Sequence, residues 1–241
     1  MDAEVPRGRV SGPDAVDRPR GRVLAGMVDI SAVQAPHTDQ DVRRLAAAAH
    51  AGKFLAAHVL PTWAPLLVDL LSDSAVRVGA PVGFPSGGGP TPARALEAAW
   101  LCDAGVDEVD VVIPIGRLRA GDDDAVLTDL AAIVAAVAGR VPIKAILETA
   151  HLNPPQIRRG TELALEAGVD ALKTGTGWAG HATSAHEVTA IRDAGGPGVE
   201  IKASGGIRSL ADVDALRAAG ATRFGMNTAV ALRLTAEDAD R

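Results

Sequence analysis

Two lysines in this chain stand where a lysine is costly unless it has work to do. Lys173 closes the run Val169-Asp170-Ala171-Leu172 just before Thr174-Gly175-Thr176-Gly177, and Lys202 closes Val199-Glu200-Ile201 just before Ala203-Ser204-Gly205-Gly206-Ile207-Arg208. An ammonium inside an apolar run needs a counter-charge or a task. A lysine of ordinary pKa has only about four parts in ten thousand as free amine at neutral pH, which makes it a poor nucleophile. A second ammonium about 6 Å away, at an effective dielectric near 20, makes protonation harder by ~2.8 kcal/mol, or ~2 pK units. Burial acts in the same direction. A lysine pair therefore reads as one nucleophile and one charge that tunes it, the arrangement that suits Schiff-base chemistry at a carbonyl.

Carbon-carbon cleavage through a Schiff base also needs a proton shuttle at the substrate hydroxyl. Asp110, in Glu108-Val109-Asp110-Val111-Val112, is the candidate; its bland alternative is an ion pair that only satisfies Lys202. The Gly205-Gly206-Ile207-Arg208 turn leads into a helix whose first N–H groups and positive dipole end suit a phosphate. Gly177, Gly225, Asn227 and Thr228 are placed to complete that cradle, unless the glycines serve only tight turns. Another glycine-rich stretch, Gly83 to Gly89, lacks the G-x-G-x-x-G spacing of a dinucleotide loop and has no acidic strand end to hold a ribose.

The elements that must position these groups follow from the apolar runs and their punctuation. Strands are expected at Val23–Asp29, Lys53–Leu60, Val76–Val82, Glu108–Ile113, Val141–Leu147, the run ending at Lys173, the run ending at Lys202, and Thr222–Gly225. Between them helices are expected from Thr38 (an N-cap) to Gly52, Pro61 to Ser74, Thr91 to Gly105, Asp123 to Ala138, Pro154 to Gly168, Ser184 to Ala194, Ser209 to Gly220 and Asn227 to Leu232. Strand-helix units of roughly 25 to 30 residues predict a single-domain (β/α)8 barrel. In such a barrel all strands end on one face, so Asp29, Asp110, Lys173, Lys202 and the Gly205-Gly206 turn gather at one mouth. Residues 1–20, with several charges and no apolar period, read as a disordered arm, 21–235 as the barrel and 236–241 as a tail.

The bulk properties narrow the function. A chain of 241 residues that is 47% hydrophobic fills one domain, and a net charge of -6 offers no basic field to nucleic acid or acidic membrane. The single cysteine, Cys102, excludes an internal disulfide, and no run approaches the length of a membrane span. A cytoplasmic protein is expected.

The three stretches Glu108 to Val112, Lys173 to Gly177 and Lys202 to Arg208 resemble the signatures of deoxyribose-phosphate aldolase, in order and at suitable spacing, with the likeness running from about Asp29 to Leu232. The resemblance implies a metal-independent lyase without cofactor, of deoxyribonucleotide and carbohydrate breakdown. It would cleave 2-deoxyribose 5-phosphate reversibly to glyceraldehyde 3-phosphate and acetaldehyde. It assigns the Schiff base to Lys173, pKa tuning to Lys202 and the proton relay to Asp110. Asp29 and Ser31 match an early Asp and hydroxyl near the substrate, and Gly205, Gly206 and Arg208 match the phosphate turn. A small sugar phosphate and aldehyde are the partners implied, with a homodimer as the assembly. The chain departs from the family pattern at Gly175 (usually Ser), Asn227-Thr228 (usually Ser-Ser), His58 (usually Cys) and Pro114 (usually Asn), and it has no tyrosine for a carboxy-terminal tail. These departures touch the pocket walls and spare the lysines. They leave open a Schiff-base aldolase for another phosphorylated aldehyde. A non-catalytic sugar-phosphate sensor is the further alternative, although it would need no amine nucleophile.

Overall fold

The computed structural model describes residues 24–240. Eight parallel strands close into one barrel in sequence order: β1 Val28–Ala32, β2 Ala56–Val59, β3 Arg77–Val82, β4 Glu108–Val112, β5 Ile143–Ile146, β6 Ala171–Lys173, β7 Glu200–Ser204 and β8 Arg223–Asn227. Around them lie α1 Asp39–Gly52, α2 Ala64–Leu70, α3 Thr91–Asp103, α4 Ile115–Ala120, α5 Asp123–Val137, α6 Pro154–Glu166, α7 Ala185–Gly195, α8 Leu210–Ala218 and α9 Thr228–Ala239.

The helix starts follow the sequence closely because side chains fix them. Asn153, Ser184 and Ser209 each accept from the third helical N–H, and the Gln156, Glu187 and Asp212 side chains reach back to the cap N–H, satisfying orphan donors at both positions. Thr38 opens α1 as expected, its N–H donating to Asp41 Oδ2 at 2.8 Å.

Several ends shift by one to three residues, β2 for example beginning at Ala56 because Lys53 closes α1, and four departures from expectation are larger. Leu24 and Ala25 are a buried helical turn, and β1 begins only at Val28. An apolar run carries no mark of its own register, and pairing of Asp29 with Ala56 and with Gly225 sets it here. The Pro61–Ser74 stretch divides into a 3₁₀ turn, Pro61–Trp63, and the short α2, because Pro65 leaves the N-terminal turn without a donor. The helix α4 was not anticipated. The last helix continues well beyond Leu232 to Ala239, through most of the stretch read as a tail. The expected arm at 1–20 lies outside the described residues.

Strand alternation sorts side chains into two zones. Val109, Val111, Ile143, Ala145, Leu172, Ile201, Ala203 and Phe224 point outward into the apolar layer under the helices, all buried. The alternate positions face inward. There the usual branched apolar filling of such barrels is replaced by charge: Asp29, His58, Glu108, Asp110, Lys144, Lys173, Lys202 and Arg223 are all buried.

Candidate active site

Neighbouring strands carry the two lysines at matched register, Lys173 on β6 opposite Lys202 on β7, so both side chains enter the barrel at one level. Asp110, from the middle of β4, meets them. Its Oδ2 accepts from Lys173 Nζ at 2.8 Å and from Lys202 Nζ at 2.9 Å, and its Oδ1 accepts from Lys144 Nζ at 3.1 Å. The bridge to Lys202 expected from sequence is present, and one oxygen serves both lysines.

A second tier holds this arrangement. Lys202 Nζ lies 2.6 Å from Asp29 Oδ2, and Arg223 Nε donates to Asp29 Oδ1 at 2.7 Å. Arg223 also pairs with Glu108, whose Oε1 lies 3.0 Å from Lys144 Nζ. Three buried carboxylates, Asp29, Glu108 and Asp110, are thus already opposed by Lys144, Lys202 and Arg223. The ammonium of Lys173 is surplus to that balance.

The ionisation of the lysines follows. Burial lowers the pKa of Lys173 to about 8, helped by the Lys202 charge and opposed by Asp110 and Asp29. Lys202 is also buried, yet Asp110 and Asp29 hold its pKa above the ordinary lysine value. Adjacent positions therefore differ in kind, a lysine that can shed its proton near neutral pH beside one that keeps it. Burial presses Asp110 and Asp29 towards neutrality, but the surrounding cations win and hold both carboxyls well below the usual range.

These groups form the floor of a cavity of about 270 Å³ at the carboxy-terminal mouth, lined by Asp29, Asp110, Lys173, Lys202 and His58. Ser31 and Gly177 line it higher up, and Gly205, Gly206, Arg208, Gly225 and Asn227 form its β7–β8 side. The expected residues are brought together with one exception. Thr228 is the first residue of α9 and does not line the cavity, and the Asn227 side-chain Oδ1 is committed to the cap of that helix, accepting from the Val230 N–H at 2.9 Å.

The glycine turn has a packing reason as well as a binding one. Gly205 and Gly206 have φ of 110° and 70°, and a Cβ on Gly206 would fall 2.4 Å from Ala182 Cβ. Of the departures, Gly175 faces Glu148, whose Oε1 would lie 2.8 Å from a Cβ there, and Pro114 caps α4 outside the cavity.

Sequence reasoning missed several members. Lys144 sits in Ile143-Lys144-Ala145-Ile146 and carries the same signal as the other two lysines, a cation in an apolar run. Glu108 shares a strand face with Asp110. Arg223 had no signal beyond its place in a short strand. Over the mouth, Trp178 Nε1 donates to Val33 O at 3.1 Å and its ring meets Phe84 edge-on at 5.4 Å, joining the loops that follow β6, β1 and β3.

Residues 23–233 match the model of the DeoC/LacD family aldolases. The chain belongs to that aldolase family. A deoxyribose-phosphate aldolase of Rhizobium meliloti (strain 1021) is 48% identical to it over 214 residues, covering 88% of this chain and 86% of that protein. One from Klebsiella pneumoniae is 44% identical over 217 residues, 89% of this chain and 87% of the relative. The solved tetrameric deoxyribose phosphate aldolase of Aeropyrum pernix superposes with a TM-score of 0.82 at 27% identity, covering 90% and 91% of the two chains.

In this aldolase Asp29, His58 and Glu108 place their ligand atoms within 4.8 Å of one another, close enough to share a metal ion. Lys202, Arg223 and Lys144 already face those oxygens, so the cluster serves an ion-pair network. Among the described residues no helix is long and apolar enough to cross a membrane.

Proposed function

We propose that this enzyme cleaves 2-deoxyribose 5-phosphate to glyceraldehyde 3-phosphate and acetaldehyde, and forms it in reverse, through a Schiff base on Lys173. The observation that carries the reading is the Lys173 amine, with pKa lowered to about 8, sharing Asp110 Oδ2 with Lys202, whose own pKa is raised, at the floor of the cavity in the barrel mouth.

In this mechanism Lys173 Nζ attacks the substrate aldehyde carbon, and loss of water gives the iminium. Asp110, backed by Lys202, takes the proton of the C3 hydroxyl as the C2–C3 bond breaks. The electron pair of that bond passes to the iminium, which becomes an enamine, and glyceraldehyde 3-phosphate leaves. Protonation of the enamine carbon and addition of water release acetaldehyde and restore the amine. Gly205, Gly206 and Arg208, with the N-terminus of α9 behind Asn227, hold the phosphate. The tetramer formed by the Aeropyrum pernix relative supports self-association, with a homodimer as its simplest form.

Borohydride reduction in the presence of acetaldehyde, read as mass gain on Lys173 against pH, tests the mechanism. Lys173→Arg should abolish the gain, because a guanidinium cannot form the iminium. Lys202→Leu should keep it but move it to higher pH. Gain persisting in Lys173→Arg, together with its loss at every pH in Lys202→Leu, would reverse the two assignments.

A further inference from the structure

His58 lies in the barrel interior with 3% of its surface exposed, and its Nε2 stands at a corner common to three groups. It is 2.9 Å from Glu108 Oε1, 3.2 Å from Asp29 Oδ2 and 3.3 Å from Lys202 Nζ. On the other side of the ring, Nδ1 is 3.8 Å from Asp110 Oδ2, too far for a hydrogen bond. The nearest partner is a carboxylate, which only accepts, so the geometry assigns the donor proton to Nε2.

The ring occupies space that its neighbour has given up. His58 pairs with Gly79 on β3, and a Cβ on Gly79 would fall 2.2 Å from His58 Cε1 and 2.7 Å from Nε2. Gly79 does not have the left-handed φ that demands glycine, and glycine weakens a strand interior. The imidazole is the reason for glycine there.

We infer that His58, seated against Gly79, is a positioning residue for the amine pair. Its Nε2–H donates to Glu108 while the ring stands against Asp29 Oδ2 on one side of Lys202, so that the Lys202 ammonium stays on Asp110 and beside Lys173. The inference rests on the Schiff-base reading above. His58 makes no hydrogen bond to the reacting amine; it acts through Lys202.

The direction of its effect follows from the groups around Lys173: Asp110 and Glu108 from β4, Lys144 from β5, Lys202 from β7, Arg223 from β8, Asp29 from β1 and His58 itself from β2. Without the imidazole, Lys202 is free to follow Asp29 away from Asp110. Lys173 then keeps more of Asp110 and feels less of the Lys202 charge, and both changes favour its protonated form.

The experiment is the pH profile of borohydride trapping by acetaldehyde on the full chain, for wild type, His58→Ala, His58→Gln, Gly79→Ala and the double variant His58→Ala/Gly79→Ala. Gly79→Ala alters no polar group and acts only by displacing the ring. It and His58→Ala should each move the midpoint up by about one pH unit, which lowers trapping at pH 7 roughly tenfold. His58→Gln, which keeps an N–H near the Nε2 position, should return the midpoint towards wild type. In the His58→Ala background Gly79→Ala should add no further shift, since its Cβ has no ring to meet. A merely structural ring would lower stability without moving the midpoint. An unmoved midpoint in Gly79→Ala, or an equal added shift in the double variant, overturns the role of His58. Absence of trapping in wild type at every pH would instead overturn the Schiff-base reading on which it rests.

Discussion

Replacing Asp110 by Asn separates the two tasks of that carboxylate. Asp110 Oδ2 lies 2.8 Å from Lys173 Nζ, and at an effective dielectric of 20 that pair is worth about 6 kcal/mol before solvent and side-chain rearrangement reduce it. The carboxylate is the largest influence holding a proton on Lys173 against burial. Its loss therefore lowers the Lys173 pKa below about 8, and the borohydride-trapping midpoint should fall by about one to three units. Turnover should move the other way, dropping about 10²- to 10⁴-fold for want of the group that takes the hydroxyl proton. Easier Schiff-base formation with slower cleavage is the signature. Stability should suffer too, since Lys144, Lys173 and Lys202 lose a shared counter-charge in a buried site. Removing one partner of such a network costs about 3 to 5 kcal/mol, or roughly 6 to 20 °C in melting temperature for a domain of this size. The assays are trapping against pH by mass spectrometry, steady-state cleavage with a coupled dehydrogenase, and calorimetry. A midpoint that rises or stays, or turnover that falls only in proportion to trapping, would refute the argument and leave Asp110 as an ion pair alone.

Three further outcomes follow from the same geometry. Lys173→Met should abolish activity yet stabilise the fold at pH 7: a lysine with its pKa lowered to about 8 costs about 3 kcal/mol there. The unfolded state binds more protons between pH 8 and the ordinary lysine value, so that advantage should fade across this window, as calorimetry of both proteins at pH 7 and pH 10 would show. Arg208→Gln should raise KM for the phosphorylated substrate about 10- to 100-fold with little change in kcat, because a charge-assisted phosphate contact is worth about 1.5 to 3 kcal/mol; equal KM values would place the anion elsewhere. Gly206 is unsuited to that test, since any side chain there meets Ala182. In acid, the lowered carboxyls of Asp29, Glu108 and Asp110 contribute stability that is full above their ordinary pKa values and is lost as pH falls through the folded ones. Melting temperature should hold down to about pH 5 and fall below about pH 4, as stability is lost at ~1.4 kcal/mol per pH unit for each group titrating; a flat profile to pH 2 would contradict the network.

The sequence by itself determined the barrel and the identity of its principal amines. Short apolar runs, cap residues and glycines repeat along the chain, and each is a local property: Ser209 caps α8 through its own neighbours whatever the rest of the fold does. Lys173 and Lys202 were legible because a cation in an apolar run is anomalous within a few residues. By the same token Lys144 is legible in the sequence. What only the tertiary structure decided is which charges share which oxygen. Alternation says that Glu108 and Asp110 face the same side of β4, but closure of the barrel makes that side the interior and brings β1, β2, β5 and β8 against it. The surplus charge of Lys173 exists only once Asp29, Glu108 and Asp110 have been matched by Lys144, Lys202 and Arg223, residues separated by long stretches of chain. Likewise Gly79 looks like a defect in a strand until register sets it beside His58. Coulomb energies and excluded volume depend on distances through space, and for this site those distances are set by the register of strands that the chain joins only at closure.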